Sequence, residues 1–536
     1  MKKMFILSVV LVPFLCASLA FSQQPQKNSY DYGKYGAQSF RARPAGQGSV
    51  DWGLALSGGG PRSALFSIGA MKALYDRGYL DKIDVISSTS GGSYASYWLL
   101  TGYDSSQTKF GAAQFDNSKF LQQICFLQNE DKSNFLPIIK SLGAFPTGDK
   151  RFKKYEEAIV NSFGYDITHK NKKYPDDPKL DFLNKSIDAG DVPYFIINTT
   201  IGVKQVDVEK KELLDLAKVF EITPKYRGNV GLKFQDWAEK DNESSKNENC
   251  NEDKDVPWSL SKSVATSGIP SFLLASRCIK HKGKKHLMWD GGQAENLAAF
   301  GLISRGISNV IIVDSEQDAR YKFKAYTKLQ ERLKKIGISF YVGKIDAFLK
   351  KPQRLCREGL RPKCGKQKKW SSSVSEGKAK SIDDGGVRID SNIYYVKMSD
   401  PEAVLPKWFS EDEIFKRGEG LANQRKEEYC PNAGRDCKCE NITLNLGGMK
   451  EGQAFYTYRF REYSEFLNNL KPRNLNDFKA WVSILPYKVV GKAIPFFSYN
   501  FPHTTTVELT YFANQLEAFV GLGYLQTMEL KEVPQK

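Results

Sequence analysis

The sequence predicts an α/β fold, with a mainly parallel central sheet flanked by helices and with helical and loop insertions between the elements. Two observations lead there. Short apolar runs end in glycine-rich turns, and each turn opens onto residues with helical spacing. Residues 54–56 (Leu-Ala-Leu) form the first run, and Gly58-Gly59-Gly60 follows it. From Ser63, apolar side chains recur at Leu65, Ile68, Met71, Leu74 and Tyr75, a helical pattern that Gly78 ends. Residues 83–86 give a second strand, Ser88-Thr-Ser-Gly-Gly92 a second turn, and Tyr94, Tyr97, Trp98 and Leu100 begin a second helix. Further strands are expected at 194–197, at 310–313 before Asp314, and at 393–396. Sites in such sheets lie at the carboxyl ends of strands, so chemistry is expected at the two glycine turns.

A chain of 536 residues that is 41% hydrophobic and 26% charged can bury a large core and is neither disordered nor multispanning. Its formal charge is +17, which becomes +15 without Lys2 and Lys3. Such a balance favours contact with anionic surfaces; no nucleic-acid reading module accompanies it, so no nucleic-acid partner is expected. The basic residues concentrate at Lys350, Lys351, Arg354, Arg357, Arg361, Lys363, Lys366, Lys368 and Lys369, which read either as a solvated loop or as a patch for peripheral contact with anionic membrane.

Lys2, Lys3, the apolar run at 4–15 and the small residues around Ala20 read as a signal peptide over 1–20, giving a periplasmic or secreted protein. Without Cys16, eight cysteines remain, an even set that fits disulfides in an exported chain. Cys430, Cys437 and Cys439 have neither a nearby histidine nor a C-x-x-C pair, so no metal site is expected. A flexible leader is expected at 21–48 and one large domain at 49–530, with insertions near 110–181, 239–255 and 345–386.

Ser90 follows a predicted strand and precedes a predicted helix, the setting of a nucleophile elbow, with Ser88 where the usual pattern has glycine. Gly58, Gly59 and Gly60 at a helix start present backbone N–H groups to an anion, which is an oxyanion hole for an ester or a cradle for a phosphate. The nucleotide alternative fails on spacing: no Lys-Ser/Thr follows at the P-loop distance, and Ser63 stands where a dinucleotide fingerprint has glycine. The base for Ser90 could be one of only four histidines, His169, His281, His286 and His503, but none follows a strand in the expected way. Asp290, in Met288-Trp-Asp-Gly-Gly292, is the better candidate, because a desolvated carboxylate can take the hydroxyl proton directly. Asp384 also precedes two glycines but lies in a polar stretch and reads as a turn.

Taken together, Leu56-Ser-Gly-Gly-Gly-Pro-Arg62, Gly69-Ala-Met-Lys-Ala-Leu-Tyr75, Ser88-Thr-Ser-Gly-Gly92, Val264-Ala-Thr-Ser-Gly-Ile-Pro-Ser-Phe272 and Asp290-Gly-Gly-Gln-Ala-Glu-Asn296 resemble the patatin-like phospholipases and the related cytosolic phospholipase A catalytic domains. Arg305, the Phe501-Pro-His-Thr-Thr505 stretch and Gln515-Leu-Glu-Ala-Phe519 add to the likeness with bacterial members. The resemblance implies a three-layer fold and a Ser90–Asp290 dyad acting without histidine or cofactor. It further implies an oxyanion hole at Gly58, Gly59 and Gly60, and Arg62 near a substrate phosphate or supporting the oxyanion loop. The expected activity is hydrolysis of fatty-acyl esters of phospholipids or lysophospholipids; the same residues would serve an esterase or acyltransferase on other esters, or a catalytically silent lipid-binding protein.

Overall fold

The computed structural model describes residues 51–103, 109–116, 149–164, 178–204, 214–229, 232–237, 258–269, 277–318, 321–350, 370, 372–381, 389–399, 416–421 and 513–531. Residues 1–48, read from sequence as signal and leader, residues 239–255 and 351–369, Asp384, His169, His503, the 501–505 stretch and every cysteine except Cys278 lie outside them.

Five strands make the parallel centre: β1 (Trp52–Leu56), β2 (Val85–Thr89), β3 (Tyr194–Ile201), β9 (Asn309–Asp314) and β12 (Asp390–Lys397). They run side by side in the order β12-β9-β1-β2-β3. Every residue of β2 and β3 is buried, as expected where helices cover both faces of a parallel sheet. All five overlap strands expected from the sequence, β2 with its span displaced toward Ser90 from the expected 83–86.

Antiparallel strands extend both edges. On one side β3 continues into β4 (Val219–Ile222), β5 (Tyr226–Asn229) and β6 (Lys233–Asp236). On the other, β12 pairs with β11 (Val374–Ser381), which pairs with β10 (Ile338–Val342). Residues 374–381, assigned from sequence to a surface insertion, are therefore part of the sheet. A separate hairpin, β7 (Arg277–His281) and β8 (Lys284–Trp289), joins the far end of β3 through Thr200↔Trp289 and Ile201↔Met288. That short ladder aims the residue after Trp289 at the carboxyl ends of β2 and β3.

Seven helices matter for the site: α1 (Gly60–Asp76), α2 (Gly91–Thr101), α3 (Asp149–Phe163), α4 (Leu260–Gly268), α5 (Lys324–Lys335), α6 (Gly343–Lys350) and α7 (Ala513–Met528). Pro61 in the first turn of α1 suits a position whose N–H has no partner within the helix. The 513–528 helix, which contains the terminal sequence block, lies across α1. Side chains at Gly69 or Gly523 would strike the carbonyls of Val520 and Phe66, so glycine on each helix permits the close crossing. The helix at 149–163 buries Phe152, Tyr155 and Ile159 against α2 and α4. The described part of the 110–181 segment is thus packed into the core. No described helix is long and apolar enough to cross a membrane.

Candidate active site

The two glycine turns pack backbone on backbone. A side chain on Gly91 would strike the Gly60 carbonyl, and one on Gly92 would strike the Leu56 carbonyl. This contact fixes the start of α1 against the start of α2. Between them, Ser90 adopts φ 49° and ψ −123°, a conformation that non-glycine residues rarely hold and that projects the hydroxyl from the end of β2. Ser88, in the position where glycine is usual, sits buried on the last turn of β2 with its carbonyl held by Asn198 Nδ2 at 2.9 Å.

The strained turn is braced from β3 and α4. Ser90 N–H donates to Ser267 Oγ at 2.9 Å, and Ser267 Oγ–H donates to the Asn198 carbonyl at 2.5 Å. The Tyr94 and Tyr155 hydroxyl oxygens lie 3.0 and 2.7 Å from the carbonyl of the next residue, Gly268, and within bonding distance of each other, so one hydroxyl donates to the carbonyl and the other to its neighbouring hydroxyl. Burial, with Asp290 nearby, pushes both phenols up, so they stay neutral donors. Sequence reasoning quoted Ser267 within a motif but gave it no role; nothing local in a helix-end serine marks it as a brace.

Asp290 follows β8. Its Oδ2 accepts from Ser90 Oγ at 2.8 Å and its Oδ1 from Gly292 N at 2.7 Å. Thr200 Oγ1 donates to the Asp290 carbonyl at 2.7 Å and accepts from Ala294 N at 2.9 Å, pinning the turn to β3. Gly291 has no room for a side chain, because one would meet the Asn198 carbonyl and the Thr89 hydroxyl. Burial raises the Asp290 carboxyl to about 6, while the Ser90 and Gly292 hydrogen bonds pull the other way. No cationic side chain among the described residues pairs with it. A base with that value is ionised at neutral pH yet still basic enough to accept a hydroxyl proton as bonds change.

The two described histidines are elsewhere. His281 binds the Lys233 carbonyl at 3.0 Å and is driven down to about 3 by burial, and His286 binds the Gly202 carbonyl at 3.1 Å. Arg305 is likewise spent in the core, its Nη1 donating to Glu221 at 2.9 Å.

The glycine loop is divided in its roles. Gly58 N–H donates to the Asn296 carbonyl at 2.8 Å, so it is not available to an oxyanion as the sequence reading expected. Gly59 and Gly60, with φ 149° and 66°, keep N–H groups that no described residue accepts. Arg62 is fully buried and donates from Nη2 to the Ser315 carbonyl at 3.0 Å. Both the Ser315 carbonyl and the Arg62 guanidinium lie against Gly59, where a Cβ would come within 2.9 and 3.0 Å of them. Ser57 completes the brace, accepting from Ser315 N at 2.7 Å.

Residues 54–303 match the family described as Patatin-like phospholipase, a span that contains both glycine turns and Asp290. These residues, a little under half of the chain, are similar to the patatin-like phospholipases. Members of this class are lipid acyl hydrolases, and the mixed, centrally parallel sheet with flanking helices agrees with the family's α/β fold. No curated protein matches the chain in sequence. Among solved structures, human GIVD cytosolic phospholipase A2 aligns with a TM-score of 0.43 and 11% identity, covering 89% of this chain and 58% of that one. The same human protein in complex with methyl gamma-linolenyl fluorophosphonate aligns at 0.40 and 10%, covering 89% and 57%. VipD from Legionella pneumophila aligns at 0.21 and 12%, covering 90% and 93%. This chain thus spans under three fifths of the length of the human protein. Likeness this loose carries no weight beside the family match and the geometry of the site.

Proposed function

We propose that the protein is a serine acyl hydrolase that cleaves fatty-acyl esters of phospholipids or lysophospholipids through Ser90 and Asp290. The observation that carries the reading is the Ser90 Oγ–H to Asp290 Oδ2 hydrogen bond, 2.8 Å, made to a carboxylate that burial has made more basic. Ser90 Oγ forms a bond to the acyl carbon, the carbonyl electron pair moves to oxygen, and the hydroxyl proton passes to Asp290. The Gly59 and Gly60 N–H groups face the growing negative charge. Collapse expels the alcohol half of the ester, which takes the proton from Asp290. Water then attacks the acyl-enzyme, losing its proton to Asp290; the acyl–Oγ bond breaks, Ser90 Oγ takes the proton back from Asp290, and the fatty acid leaves. Each step uses only the chain's own groups.

The N-terminal segment supports placing this activity outside the cytoplasm, with the basic composition favouring peripheral contact with anionic membrane. The decisive measurement pairs a fluorophosphonate probe with fatty-acid release from phospholipid vesicles. Wild type is expected to be labelled at Ser90 and to release fatty acid, whereas Ser90→Ala does neither and stays folded. Undiminished hydrolysis by Ser90→Ala would overturn the reading. Acyl transfer to an added alcohol, or activity only on soluble esters, would redirect it to a different acceptor or ester.

A further inference from the structure

We propose that the Asn296 side chain is a further catalytic group, donating from Nδ2 to the oxyanion that forms when Ser90 adds to an ester. The inference rests on the acyl-hydrolase reading and deepens it. Its starting point is the missing donor: the Gly58 N–H that the loop should offer is tied to the Asn296 carbonyl. The same residue's carboxamide lies beside that N–H. A Cβ on Gly58 would strike Asn296 Oδ1 and come within 3.1 Å of Ser90 Cβ. A Cβ on Gly292 would also meet Asn296 Oδ1 and lie 3.0 Å from Asp290 Oδ1. The carboxamide therefore occupies the place where the glycine loop, the nucleophile and the base converge. Both glycines are needed to leave it room.

Asn296 keeps part of its surface accessible while its neighbours Glu295 and Leu297 are buried, and no described residue hydrogen-bonds its carboxamide. A carboxamide has two N–H donors, and rotation about its last torsion exchanges which end faces a given point. A neutral amide also suits this position better than a cation would. It offers a dipole to the oxyanion without pairing with Asp290, whose raised basicity depends on having no cation beside it. The backbone carbonyl holds Gly58 and the side chain meets the substrate, so one residue both shapes the loop and completes it.

The test is steady-state kinetics of Asn296→Ala on a soluble chromogenic ester, with fluorophosphonate labelling of Ser90 measured alongside. The Gly58 clamp uses the backbone carbonyl and persists in any side-chain variant, so a change reports the carboxamide. The expected result is a fall of about 10²-fold or more in kcat, KM changed by less than about threefold, and labelling slowed in parallel. A kcat within about threefold of wild type in a variant with unchanged melting would overturn the proposal. Should Asn296→Ala fail to fold, Asn296→Asp keeps the size and removes the donor; near-wild-type turnover in that variant overturns it equally. If wild type itself is neither labelled at Ser90 nor active, the acyl-hydrolase reading falls and this inference with it. If wild type labels and turns over while Asn296→Ala matches it, only the inference falls.

Discussion

Asp290 and Asp314 are two carboxylates at the same end of the sheet, one just after β8 and the other closing β9, and their partners differ in one respect. Asp314 Oδ2 accepts from Lys397 Nζ at 2.8 Å and Tyr395 Oη at 2.6 Å, and its Oδ1 from Glu316 N at 2.8 Å. Asp290 has a hydroxyl and an amide for partners and no cation. A buried carboxylate beside an ammonium is neutralised in place and becomes architecture. One beside only neutral donors stays basic, and its charge can move. The contrast separates a base from a brace without reference to sequence position, and substitution at each should fail in its own way.

The largest effect is expected at Asp290. Asp290→Asn keeps the acceptor for Gly292 N–H but cannot take the Ser90 proton, so hydrolysis should fall by at least about 10³-fold in a folded protein. An Asp290→Asn enzyme with more than a tenth or so of wild-type turnover would break the comparison. Asp314→Asn should instead act on stability. It leaves Lys397, itself only 1% exposed, without its counter-charge, a change that costs about 3–5 kcal/mol for a broken buried pair. Denaturant melts would register this. Turnover per folded molecule should change far less than in Asp290→Asn.

The two aspartates also differ in how they were found. Asp290 was legible because Asp-Gly-Gly follows an apolar step and aligns with an ordered set of motifs, and Ser90 was legible for the same kind of reason. The five central strands were readable from their apolar runs, since a strand covered on both faces is rich in apolar residues, while the polar residues inside β2 and β3 left their ends unmarked. The edge strands were not. β11 reads Val-Ser-Glu-Gly-Lys-Ala-Lys-Ser, and β8 begins Lys-Lys-His; their place comes from pairing with β10 and β12 in the first case and with β7 and the distant β3 in the second. The same limit hid the braces. Asn198 and Thr200 lie in a polar run within the buried strand β3 and Ser267 at a helix end, and their purpose exists only once β3, α4 and the elbow have met. The Gly58 expectation failed for a related reason, since its N–H partner lies 238 residues away. A glycine in such a loop can be present to admit a neighbour as well as to expose its own amide.

A pH profile sharpens the distinction further. The base must be ionised, so kcat/KM should rise with pH along an acid limb centred near the Asp290 value of about 6. Among the described residues Glu316, beside Asp314 and pushed up to about 7 by burial, is a second carboxyl with a value in this range. Glu316→Gln should leave the limb in place because that group does not meet Ser90. A limb that vanished or moved by a full unit in Glu316→Gln would assign the titration to the wrong aspartate's neighbourhood.

The smallest expected effect concerns the cost of keeping Asp290 basic. Its folded value of about 6 lies above the ordinary 3.8, so between about pH 4 and 6 the folded protein holds more protons than the unfolded chain. Stability contributed by this group is therefore present at low pH and lost as pH climbs through that window, the reverse of a salt-bridged aspartate. Above it, ionised Asp290 carries a penalty on the order of 1–3 kcal/mol, reduced by whatever solvent reaches the carboxyl. Asn at this position cannot ionise and escapes the penalty. Asp290→Asn should thus melt later than wild type at pH 8 and close to wild type at pH 4, while Asp314→Asn melts earlier at pH 8. Equal melting of Asp290→Asn and wild type across that whole range would mean that the carboxyl is solvated in the free enzyme, and the contrast between base and brace would have to rest on the missing cation alone.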